Sequence, residues 1–82
     1  MEEKELYTEL NQIFAAVLKK DKVELEPTTT AADISGWDSL THMILMGSVE
    51  KHFSIKFKLM EIMKFANVGD MATCVQKKLA NK

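Results

Sequence analysis

Asp38, Ser39 and His42 are the residues of this chain whose types and spacing could do chemistry. They sit in "GWDSLTH", residues 36 to 42. A serine beside an acid, with an imidazole three places on, has three uses. It is a nucleophile if the imidazole serves as its base, a third group orients that base and N–H groups form an oxyanion hole. It is a plain first-turn residue if Asp38 merely caps a helix. It is a point of covalent attachment if another enzyme activates the hydroxyl, in which case no internal base is needed.

Spacing argues against the nucleophile. His42 lies within one helical turn of Ser39, on the side shared with Met46 and Val49, so its ring leans inward. His52 is ten residues further along. Attachment has positive support. A long connection, "DKVELEPTTTAADISGWD", delivers the chain to this serine, and Leu40, Met43 and Ile44 beside it have no obvious packing need. The N–H groups and dipole of a helix start would favour a phosphodiester there.

The elements that must position Ser39 follow from periodicity. Leu6, Leu10, Ile13, Phe14 and Val17 recur at helical spacing and predict a first helix over about 2–20, with Lys19 and Lys20 closing its end. Pro27, three threonines and Gly36 break the pattern, while Val23, Leu25, Ile34 and Trp37 pin the connection to the body. A second helix is expected over about 38–53, capped by Asp38. It is apolar on two sides: His42, Met46, Val49 and Phe53 on one, Leu40, Met43, Ile44 and Gly47 on the other. "FSIKFKLMEI" alternates like a strand but has no second strand to pair with. It reads as an extended crossing followed by a short helix over about 59–65. "NVGD" opens a last helix over about 68–80, with Asn67 as cap, Asp70 at the capping-box position, and Lys77, Lys78 and Lys82 at its end. The expected fold is all-α: a small antiparallel four-helix bundle forming a single domain, 1–82, with three longer helices and one short one.

Composition sets limits. The chain has 82 residues, 46% hydrophobic and 28% charged, with net charge −1. A domain this small buries only about 60% of its unfolded surface, which leaves little room for a deep catalytic pocket. All its basic residues are lysines without a dense cluster, which excludes nucleic acid as an expected partner. Cys74 is the lone cysteine and is read as a buried, inert thiol; no metal site is expected. No stretch reaches membrane-spanning length, and a cytoplasmic, monomeric protein without membrane insertion is expected.

"WDSL" at a helix start, the amphipathic helix ahead of it and "NVGDM" opening the final helix resemble the acyl carrier proteins and related peptidyl carrier domains. The resemblance covers about Leu6 to Leu79. It implies that Ser39 carries 4′-phosphopantetheine, transferred from coenzyme A by a phosphopantetheinyl transferase, and that the arm holds acyl groups as thioesters. It implies a stand-alone carrier that is no enzyme and has no catalytic residue. Its partners would be an acyl- or aminoacyl-loading ligase and downstream transferases or synthases. Asp38 matches the acid associated with transferase recognition, and Leu40 a partner contact. An aminoacyl carrier beside a free-standing adenylating enzyme is the alternative within the class. A helical adaptor with an unmodified serine is the alternative outside it.

Two departures qualify the resemblance. Carriers of fatty acid synthesis usually have an acidic second helix, whereas only Glu50 is acidic between Ser39 and Phe53. Docking is therefore expected to use Leu40, Met43, Ile44 and Gly47, and the pathway to be a specialised one. His42 stands with Met46, Val49 and Phe53 on the expected cargo-cavity side. There it either disfavours long fatty acyl cargo or is a half-buried histidine bonded to a loop carbonyl.

Overall fold

The computed structural model describes residues 2–81; Met1 and Lys82 lie outside the described residues. Four helices follow one another: α1 (Glu3–Leu18), α2 (Ser39–Phe53), α3 (Leu59–Lys64) and α4 (Val68–Ala80). A 3-10 turn, Ala31–Asp33, interrupts the long connection. There is no strand among the described residues, and the all-helical expectation is borne out.

α1 buries Leu6, Leu10, Ile13 and Phe14. It ends at Leu18, two residues before the expected end. Lys19 turns into the left-handed region (φ 55°, ψ 48°), and both it and Lys20 donate their N–H groups to the Ala15 carbonyl. The two lysines therefore cap the helix with backbone and lie beyond its last turn. α4 begins where the Asn67 side chain accepts from the Asp70 N–H at 2.8 Å. Asp70 reaches back one residue further than a capping box requires, accepting from the Ala66 N–H at 3.1 Å.

The connection from α1 to α2 is held at several points. Val23, Leu25 and Trp37 are buried, and Ile34 is half-buried. The Leu25 N–H donates to Asn11 Oδ1, and the Gly69 N–H donates to the Pro27 carbonyl. A side chain at Gly69 would meet that carbonyl at 2.8 Å, so the approach of loop to α4 needs a glycine. Trp37 sets its ring edge-on to Phe14, centroids 4.9 Å apart, which seats the end of the connection on α1.

After α2, Ser54 takes a left-handed conformation (φ 57°) and the chain crosses in extended form to α3. Glu50 satisfies this stretch: its carbonyl accepts from the Ile55 N–H and its carboxylate from the Phe57 N–H. Polar links tie helices together among the described residues. His52 Nε2 lies 2.7 Å from Glu9 Oε1 between α2 and α1, and Lys78 Nζ lies 3.0 Å from Glu61 Oε1 between α4 and α3.

Candidate functional site

The start of α2 is fixed by a reciprocal cap. Asp38 Oδ1 accepts from the Leu40 N–H at 3.0 Å and the Thr41 N–H at 2.9 Å. The Asp38 N–H donates to Thr41 Oγ at 2.7 Å, and that hydroxyl donates to the Gly36 carbonyl at 2.8 Å. Thr41 does what Glu or Gln does in the common capping box. These bonds, first among them the one from the Thr41 N–H, hold the Asp38 carboxyl below its ordinary value. Ser39 follows as the first helical residue and is exposed.

The cap changes one expectation. The N–H groups of Leu40 and Thr41 are occupied by Asp38, and that of His42 by the Asp38 carbonyl. These three donors are not free for a phosphate, so the helix start holds Ser39 in place and is no ready-made anion cradle.

His42 is not a base for Ser39. The Trp37 indole N–H donates to His42 Nδ1 at 3.1 Å, and His42 Nε2 lies 3.1 Å from the Ile62 carbonyl oxygen. Both ring nitrogens are committed, and the ring stacks on Trp37 at 5.9 Å. His42 is a half-buried strut that ties α3 to α2 through the Ile62 backbone.

Beside Ser39 lies a cavity of about 350 Å³, walled by Trp37, His42, Met43, Ile62, Met63 and Phe65. Of the residues expected to line a cargo cavity, only His42 does so. Met46, Val49 and Phe53 are buried in the core further along α2 and do not line the cavity. The walls come instead from α3 and the turn after it. The signal for them was present in the apolar run of α3, but periodicity alone does not say which helices meet at Ser39.

The remaining site residues divide by exposure. Leu40, Met43 and Ile44 are exposed, and Gly47 opens onto empty space on the same side of α2. Cys74 is half-buried rather than buried; burial and then the nearby Glu61 carboxylate push its thiol pKa up.

Residues 8–75 match the family described as "Phosphopantetheine attachment site". The chain belongs to this carrier family. It is similar to a holo acyl carrier protein from Geobacter metallireducens, at 47% identity and a TM-score of 0.86, covering 93% of this chain and 87% of that one. It is also 32% identical over 71 residues to the non-reducing polyketide synthase pkdA of Emericella nidulans. That match covers 87% of this chain but only 3% of the synthase.

A carrier of this family is no catalyst and bears phosphopantetheine covalently. The geometry at α2 fits such a group, with an exposed hydroxyl at a fixed helix start and an apolar-walled cavity beside it. When bound, the group supplies a thiol for thioester linkage. The chain's own residues would position it on Ser39: Asp38 and Thr41 fix the serine, and Trp37 and His42 shape the wall beside it. No helix is long and apolar enough to cross a membrane among the described residues.

Proposed function

We propose that Ser39 carries the phosphopantetheine arm and that the chain holds acyl intermediates on it as thioesters for partner enzymes of a specialised, polyketide-type pathway. The observation that carries this reading is the exposed Ser39 hydroxyl at the mouth of an apolar cavity, beside a histidine whose two nitrogens are bonded elsewhere. A hydroxyl so placed has no base of its own and is open to an external transferase. The likeness to a polyketide synthase supports the pathway class. Asp38 is the acid that the transferase reads, and Leu40, Met43, Ile44 and Gly47 form the surface it and later enzymes approach. The working form is a monomer.

Incubation with coenzyme A and a broad-specificity transferase tests the attachment. Intact mass is expected to show one phosphopantetheine adduct, absent from Ser39→Ala. An unmodified native chain, or an adduct that persists in Ser39→Ala, overturns the assignment. Ile44→Glu is expected to slow partner-dependent loading without unfolding the bundle; unchanged loading removes the docking role.

A further inference from the structure

Six large apolar side chains stand exposed among the described residues, and all lie on two helices. Leu40, Met43 and Ile44 are on α2; Leu59, Met60 and Met63 are on α3. Met43 and Met63 wall the same cavity, so the two groups meet around the mouth beside Ser39. Contiguous apolar surface on a small protein marks a contact site.

The charges around it lean positive: three lysines, unpaired among the described residues, stand against the carboxylates of Asp38 and Glu50, which backbone N–H groups hold in place without neutralising. The acids of the two helices are Glu50 and Glu61, and both are engaged at home. Glu50 accepts from the Phe57 N–H at 2.7 Å; Glu61 accepts from the Lys58 N–H at 2.7 Å and pairs with Lys78. Asp38 is held by its own helix start. Lys51, Lys58 and Lys64 are exposed and form no ion pair among the described residues. Lys51 continues the Leu40–Ile44–Gly47 stripe by one turn, Lys58 precedes Leu59, and Lys64 lies one turn beyond Met60.

Resting on the carrier reading, we infer that this face docks enzyme surfaces that are apolar at the centre and carry carboxylates at the rim. Charge complementarity selects such a partner over the alternatives. A second copy of the chain would set lysine rim against lysine rim. A lipid surface suits a long amphipathic helix with aromatic anchors, whereas α3 has six residues and the six exposed apolar side chains include no aromatic. The cavity mouth at the centre of the face must also open toward an enzyme for cargo to be handed over.

The test uses the full-length holo protein, its arm verified by mass. The probes are two helical peptides with one apolar stripe, flanked by glutamates in one and by lysines in the other. The glutamate-flanked peptide is expected to shift the backbone amide resonances of residues 40–47 and 59–63. It should bind about fivefold tighter than its lysine counterpart, the yield of a few exposed ion pairs, with the gap closing at high salt. The Lys51→Glu, Lys64→Glu double variant, checked for helicity, should reverse the preference. Equal binding, no binding, shifts confined elsewhere, self-association through this face, or stronger capture by anionic phospholipid vesicles overturns the inference. None of these outcomes bears on the mass adduct, so the carrier reading stands or falls separately.

Discussion

The Trp37 indole N–H donates to His42 Nδ1 at 3.1 Å, and this bond agrees with the one at Nε2 on which imidazole nitrogen carries the proton. Trp donates only, so Nδ1 accepts. Nε2 then bears the hydrogen and donates it to the Ile62 carbonyl. Phe14, Trp37, His42 and Ile62 thus join α1, the connection, α2 and α3 in one chain of contacts.

Nitrogen-15 NMR of the imidazole at pH 7.5 should therefore show the Nε2–H tautomer. Trp37→Phe keeps an aromatic ring against Phe14 but removes the donor. It is expected to cost about 1–3 kcal/mol, from the lost bond and lost ring volume, and to leave the Nε2–H tautomer in place, since the Ile62 carbonyl still accepts from Nε2. A switch to the Nδ1–H tautomer in the variant would show that the Ile62 bond does not hold the ring on its own.

Two glycines should respond in opposite directions to alanine. Gly36 has φ +89°, so Gly36→Ala is strained and should lose about 1 kcal/mol or more, with disturbance at Trp37. Gly47 is mid-helix with nothing near its added Cβ, so Gly47→Ala should gain about 0.8–1 kcal/mol from helix propensity. Urea unfolding of both variants measures the pair.

Acid should loosen the site. The Asp38 carboxyl is held below its ordinary 3.8, chiefly by the Thr41 N–H, and that of Glu61 below 4.5, chiefly by the Lys58 N–H and then Lys78. A lowered folded-state value means stability that is complete above the unfolded value and lost as pH falls through the folded one. Melting temperature should depend little on these two groups above about pH 5 and fall below about pH 4. Asp38→Asn keeps a good cap and should flatten part of that fall, while slowing arm transfer if the transferase reads the charge.

The holo protein should show two thiols of unequal reactivity. Burial and Glu61 raise the Cys74 pKa and lower its thiolate fraction. Brief maleimide treatment at pH 7 should add one label to holo protein, on the arm, and much less to apo protein. One label on the apo protein and two on the holo protein would show an open Cys74.

The sequence was legible where one residue type carries one physical job. Asp38 announced the start of α2, Asn67 the start of α4, and the apolar stripe the inner face of α1. It was less legible where backbone does the work. Lys19 ends α1 in a left-handed conformation that glycine or asparagine would normally signal. Thr41 completes a cap that usually shows itself as Glu or Gln. The helical wheel put Met46, Val49 and Phe53 inward, which they are, but a wheel cannot tell filled interior from open space. That distinction depends on α3, which meets α2 partly through a backbone carbonyl at Ile62 that leaves no mark on residue type.

Trp37 is the one tryptophan in the chain, and it walls the cavity beside Ser39. Its indole is therefore a built-in optical probe of the cavity beside Ser39. A change in its emission on loading would report whether an acyl group rests in the cavity or stays in solvent, with no label added.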